Sequence, residues 1–110
     1  MIKTNKTPPA ATLELNDVLC RAISKLIMDN RSLTSLDLSR NALTDNSGVF
    51  IAKMLGENST LIKLELEANQ LGPKTATALG DALSRNDTLV YLNLEGNPLT
   101  GQFAQEHSVT

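Results

Sequence analysis

Cys20 and His107 are the residues of this 110-residue chain best suited to nucleophilic chemistry, and their placement argues against it. A thiolate needs a base within hydrogen-bond reach, yet Cys20 falls inside an apolar helical stripe and His107 in the C-terminal stretch. Cys20 reads instead as a structural thiol at a small packing position, equivalent to Gly48 and Ala76 in later repeats. One histidine and one cysteine give no metal-ligand spacing. Gly72-Pro73-Lys74 lacks the glycine spacing and the Ser/Thr of a phosphate loop, and reads as a helix start. Asn-x-Ser/Thr triplets begin at Asn5, Asn30, Asn58 and Asn86 and invite glycosylation. Three of them recur at one place in successive repeats, where an Asn able to enter the left-handed region ends a helix. What remains is a set of exposed-type residues: Asp37, Lys63, Glu65, Glu67, Tyr91, Asn93 and Glu95. They acquire a common location only through the elements that carry them.

Those elements come from an internal repeat. Segments starting at Leu33, Leu61 and Leu89 align without gaps as L-x-x-L-x-L-x-x-N-x-L. Leu36 and Leu38 alternate with Ser35, Asp37 and Ser39, the period of a strand with one buried face. Asn41, Asn69 and Asn97 follow at the corner leaving each strand, where a side-chain amide can serve turning backbone and tolerate irregular dihedrals. The second half of each repeat is helical, with Phe50, Ile51, Met54 and Leu55 recurring as Ala78, Leu79, Ala82 and Leu83. Thr44 and Asp45 offer capping oxygens to one helix and Pro73 opens the next. Ahead of these, Val18, Leu19, Ala22, Ile23, Leu26 and Ile27 form an apolar stripe, and Leu13-Glu14-Leu15 reads as a degenerate strand. This partial unit is expected to shield the N-terminal end of the stack.

Strands about 4.8 Å apart beside helices roughly 8–10 Å apart must curve. The expected fold is therefore α/β, a leucine-rich-repeat solenoid. It forms a curved right-handed βα superhelix, with parallel strands on the concave face and helices on the convex face. The expected organisation is a tail at residues 1–11, a repeat domain at 12–100 and a tail at 101–110. Within the domain, a partial repeat spans 12–32, full repeats span 33–60 and 61–88, and a truncated repeat spans 89–100.

In-register stacking sorts the outward residues into columns of Ser35, Lys63, Tyr91; Asp37, Glu65, Asn93; and Ser39, Glu67, Glu95. Glu14 extends the middle column if its segment is a strand, and Arg40, Ala68 and Gly96 follow at the rim. Asp37 then faces Glu65 and Glu67 faces Glu95, like-charge neighbours that cost up to about 1 kcal/mol when exposed. Such pairs are better tolerated where a basic or mixed-charge protein partner meets them, and Tyr91 beside them supplies an amphipathic anchor. Arg21, Lys25, Lys53, Lys74 and Arg85 read as ordinary solvated cations on the helical side.

Composition sets the outer limits. The chain is 41% hydrophobic and 20% charged, that of a globular protein, and with two Phe, one Tyr and no Trp its core must be aliphatic. A net charge of -2 gives no reason to expect nucleic acid or an anionic membrane as partner. No apolar run approaches a membrane span, and no secretory leader is legible. A lone cysteine fits a reducing compartment, so a cytoplasmic or nuclear address is expected.

The motif and its period resemble those of the ribonuclease-inhibitor-like class of leucine-rich repeats, over about Leu13 to Leu99. The resemblance implies a protein-binding scaffold, and the scarcity of convergent reactive groups adds the expectation of no enzymatic activity, cofactor or metal. Members of that class usually carry more repeats and a C-terminal cap, whereas TGQFAQEHSVT stops partway into the next helix. The chain is therefore expected to be a fragment of a longer array, or to have that end covered by a partner. Self-association through the exposed C-terminal edge follows.

Overall fold

A computed structural model describes the backbone of residues 10–100 and the side chains of residues 17–100. The tails expected at 1–11 and 101–110, with Asn5 and His107, lie outside the described residues except for Ala10 and Ala11. The elements alternate as α1 (Ala10–Met28), β1 (Ser35–Asp37), α2 (Asp45–Glu57), β2 (Lys63–Glu65), α3 (Pro73–Leu83) and β3 (Tyr91–Asn93). The strands form one parallel sheet in the order β1-β2-β3. Ser35 pairs with Lys63 and Lys63 with Tyr91; Asp37 pairs with Glu65 and Glu65 with Asn93. This is the register that the leucine pattern predicts, because a slip of one residue would turn every motif leucine outward.

The core is the aliphatic layer between sheet and helices. Leu61, Leu64, Leu66 and Leu71 of the middle repeat are fully buried together with Ile51, Met54, Leu55 and Leu79. Leu33 and Leu36 of the first repeat and Leu89, Leu92, Leu94 and Leu99 of the last are only partly buried against the same cluster. Leu38 and Leu43 of the first repeat are also buried, so coverage is least at the last repeat, which has no described strand after it.

The N-terminal unit differs from expectation. Leu13-Glu14-Leu15 is not a strand but part of α1, so Glu14 adds nothing to the middle column. Leu13 stands where the later repeats place Asn41 and Asn69, and without an amide there no corner interrupts a run free of Gly and Pro. The stripe on α1 is also narrower than expected. Cys20, Ser24 and Ile27 are buried, while Val18, Leu19 and Leu26 are exposed.

Two asparagine ladders hold the turns. At the strand exits, Asn69 Nδ2 donates to the carbonyls of Leu38 (3.1 Å) and Leu66 (3.0 Å), and its Oδ1 accepts the N–H groups of Asn41 (2.9 Å) and Leu43 (3.0 Å). Asn97 repeats this with the carbonyls of Leu66 (2.8 Å) and Leu94 (3.0 Å) and the N–H of Leu71 (3.0 Å). The left-handed backbone of these corners falls on Arg40, Ala42, Ala68 and Gly96 rather than on the asparagines. At the helix ends, Asn58 has extended φ/ψ (-81°, 136°), not the left-handed conformation expected of it. It works through its side chain. Nδ2 donates to Ile27 O (2.7 Å), and Oδ1 accepts the N–H groups of Thr60 (2.9 Å) and Leu61 (2.7 Å). Asn86 likewise donates to Leu55 O (2.7 Å) and accepts from Thr88 and Leu89, both at 2.8 Å. The recurring Asn-x-Ser/Thr triplets are therefore turn chemistry, with the amide nitrogens of Asn58 and Asn86 committed to backbone carbonyls.

Carboxylates join successive helices in the same periodic way. Thr44 caps α2 by accepting the Asn46 N–H (3.2 Å), and Asp17 of α1 accepts from Thr44 Oγ1 (3.1 Å) and from Ser47 Oγ. Asp45 of α2 then accepts from the Gly72 N–H (2.9 Å), the Thr75 N–H (3.0 Å) and Thr75 Oγ1 (2.6 Å) at the start of α3. Partial burial pushes the Asp45 carboxyl up, but the bonds from the Thr75 hydroxyl and the N–H groups of Gly72, Thr75 and Lys74 outweigh it and hold the group below its ordinary range. Asp45→Ala is expected to lower stability by roughly 1–2 kcal/mol, read from urea unfolding at neutral pH. A carboxyl depressed in the folded state stabilises above its unfolded pKa and loses that contribution as pH falls through its folded value. The gap between wild type and variant should therefore narrow below about pH 4.

Candidate functional site

Among the described residues no three His, Cys, Asp or Glu side chains come together as metal ligands. Cys20 is buried, and that burial pushes its thiol up, the reverse of what activates a nucleophile. Among the described residues no helix is long and apolar enough to cross a membrane. A shallow groove between α1 and α2 is lined by Asp17, Val18, Arg21, Asn46 and Phe50. Its charged groups already have partners: Asp17 is bonded to α2, and the Arg21 guanidinium lies 4.5 Å from the centre of the Phe50 ring. Arg21 is thus packed rather than freely solvated, and Arg85 pairs with Asp81 (3.3 Å) and Glu57 (4.0 Å).

The sheet presents a more distinctive surface. Parallel sheets are usually covered on both faces. Here the leucines face the helices, and the outward row of Ser35, Asp37, Lys63 and Tyr91 is exposed, with Glu65 and Asn93 half-buried. The structure brings together all seven residues singled out on the repeat pattern. Two registered columns hold five of them, and Glu67 and Glu95 continue at the strand exits, where their carbonyls accept from Arg40 and Ala68 (2.9 and 2.8 Å).

Charge on this face is more interleaved than the column pattern implied. Lys63 Nζ lies 3.8 Å from the Glu65 carboxylate and 5.0 Å from the centre of the Tyr91 ring. Arg40 Nη2 bonds Glu67 at 2.9 Å, and Glu67 also accepts from Asn93 Nδ2 at 3.0 Å. Cations therefore relieve the like-charge columns, each pair being worth at most about 1 kcal/mol at such exposure. Two apolar residues that pattern reasoning missed border the face. Ile62 and Val90 are exposed and stand just ahead of the neighbouring strands β2 and β3, the Val90 N–H donating to Ile62 O (2.8 Å). Reading the column Thr34, Ile62, Val90 would have found them, but the strict alternation of L-x-L gives that position no facing. The open surface is thus a mixed one. Ile62, Val90 and Tyr91 lie at its leading margin, Lys63 and Glu65 at its centre, and Glu67 and Glu95 at its trailing margin.

The profile of one leucine-rich-repeat family matches residues 29–52, and that of a second matches residues 88–107. The chain carries leucine-rich repeats. The two matched stretches contain β1 and β3, the outer strands of the repeat sheet. No curated protein sequence matches the chain. Among solved structures, the actin-binding site 2 (ABS2) of leiomodin-1 is similar in fold. The match has a TM-score of 0.73 at 20% sequence identity, and covers 91% of this chain and 71% of that one. This likeness is one of fold, an α/β arrangement with a parallel sheet.

Proposed function

We propose that the chain is a non-catalytic protein-interaction module whose open sheet face, the concave side of a ribonuclease-inhibitor-like solenoid, docks a segment of mixed charge. The observation that carries the reading is the uncovered parallel sheet with its graded surface. An apolar margin at Ile62, Val90 and Tyr91 suits a buried anchor, and carboxylates at Glu65, Glu67 and Glu95 suit basic groups a few residues away. Leucine-rich repeats commonly serve protein binding, and the similar leiomodin-1 domain is an actin-binding site, which makes actin the first partner to test. A reducing address in cytoplasm or nucleus accords with the lone buried thiol.

The test is capture of partners by the immobilised chain, with purified actin as one arm, compared between wild type and Glu65→Gln/Glu67→Gln/Glu95→Gln. Three surface charges, Glu95 exposed and Glu65 and Glu67 half-buried, at roughly 0.2–1 kcal/mol each should together weaken binding about tenfold while leaving the melt unchanged. Added salt should weaken wild-type binding more than that of the triple variant. Tyr91→Ala should weaken binding with little salt dependence, because it removes apolar contact. A partner whose affinity ignores all three changes binds elsewhere and overturns the reading.

A further inference from the structure

We propose that the two ends of this repeat stack are complementary, so that copies of the chain associate head to tail. In that arrangement α1 and β1 of one copy stack onto α3 and β3 of another. The surfaces are the ends of the stack, and they meet the margin of the open sheet face at Val90.

The repeat itself provides the comparison. Each later helix buries one side against its predecessor: Met54 and Ala82 are fully buried there, as are Ser47 and Thr75. The equivalent residues of α1 are Leu26, 75% exposed, and Leu19, 39% exposed. These are apolar side chains at positions that a preceding helix covers everywhere else. The opposite end shows the converse. Leu83 is exposed where its equivalents Ile27 and Leu55 are covered by the following unit. Val90 is 81% exposed where Ile62 is 40%, and Ile62 differs in having a following strand beside it.

The chemistry at the junctions matches as well. Between α1 and α2 a carboxylate meets a hydroxyl, Asp17 with Ser47, and between α2 and α3 Asp45 meets Thr75. At the free ends the same two positions hold Pro73 and Leu19. Both halves of the polar contact are missing together and both are apolar, so a junction of Leu19 with Pro73 leaves no unpaired carboxylate or hydroxyl. The backbone continues too. Within the sheet, the N–H groups of Ile62 and Lys63 donate to Thr34 O (2.8 and 3.0 Å), and those of Val90 and Tyr91 donate to Ile62 O (2.8 and 3.0 Å). By the same offset, Thr34 and Ser35 of an incoming copy donate to Val90 O. The described fold opens on a helix and closes on a strand, so joining them preserves the alternation and places β1 of the second copy beside β3 of the first. Such a contact is heterologous and leaves both outer ends open, so growth does not stop at a dimer.

The experiment is light scattering and sedimentation of the full chain over a wide concentration range, alone and with two variants. Wild type should show an average mass that rises steadily with concentration beyond that of a dimer. Leu26→Glu blocks the α1 end and Val90→Lys blocks the β3 end. Both side chains are largely exposed, so each variant should keep the wild-type melt and stay at monomer mass. Mixed in equal amounts, they should form a one-to-one complex that grows no further, because each still carries one open end of opposite kind. Four results would overturn the proposal. One is a wild type that stays monomeric at the highest concentration. The others are a closed dimer, variants that still self-associate, and monomeric variants that ignore each other.

Discussion

Leu66→Ala is expected to lower the stability of this protein by roughly 3–5 kcal/mol, at the upper end of what burying and then deleting a leucine side chain costs. Leu66 lies just past β2, fully buried in the layer where sheet and helices meet, with a repeat on either side of it. A void there cannot fill from solvent, and neighbours held by the flanking asparagine corners have little freedom to collapse into it. Leu38 and Leu94 occupy the same repeat position, but Leu94 is only partly covered because no described strand follows β3. Leu94→Ala should therefore cost about 1–2 kcal/mol, since less apolar surface is lost from burial. Denaturant unfolding of the three variants should rank Leu66 first and Leu94 last. Equal losses at all three positions would contradict a stack whose middle unit is the best covered. A small domain has roughly 5–15 kcal/mol in all, so the middle substitution alone approaches the margin for folding.

Much of this fold could be read directly from the spacing of leucines. The period fixes which residues share a strand face, and parallel pairing then places Ser35, Lys63 and Tyr91, or Asp37, Glu65 and Asn93, side by side. Less legible were features that depend on what lies beside an element. An apolar stripe on a helix looks the same whether or not a neighbour covers it, so Val18, Leu19 and Leu26 read as core and stand exposed. The relief of Glu67 by Arg40 depends on a corner that turns Arg40 into the left-handed region (φ 58°), a conformation that residue type does not signal. The missing strand near Leu13 had a readable cue in the absent corner asparagine, which the alternation of Leu13 and Leu15 obscured. At the helix ends the right residue was found with the wrong mechanism. Asn58 and Asn86 were expected for their backbone tolerance, and each acts through its amide.

That amide chemistry gives the second large effect, at Asn69. Its side chain is buried and joins two repeats, donating to the carbonyls of Leu38 and Leu66 and accepting the N–H groups of Asn41 and Leu43. The two N–H groups lie at a corner where no strand or helix ladder reaches them and take this amide as acceptor, whereas the Leu38 and Leu66 carbonyls also accept from Asn41 Nδ2 (3.0 Å) and Asn97 Nδ2 (2.8 Å). Asn69→Ala takes the acceptor from two buried N–H groups at about 1–3 kcal/mol each, so a loss of roughly 2–4 kcal/mol is expected even after water enters to offset part of it. Asn69→Asp separates the two roles of the amide. It keeps an acceptor for Asn41 and Leu43 but replaces the donor with a charge facing the carbonyls of Leu38 and Leu66. Near neutral pH it should be as damaging as alanine, and it should recover part of the loss as pH falls and the carboxyl takes up a proton that it can donate. Asn97→Ala, at the less covered end, should cost clearly less. Unfolding measured at two pH values distinguishes these outcomes. An Asn69→Asp variant that tolerates neutral pH as well as the wild type would mean that the donor half of the ladder contributes nothing to holding the repeats together.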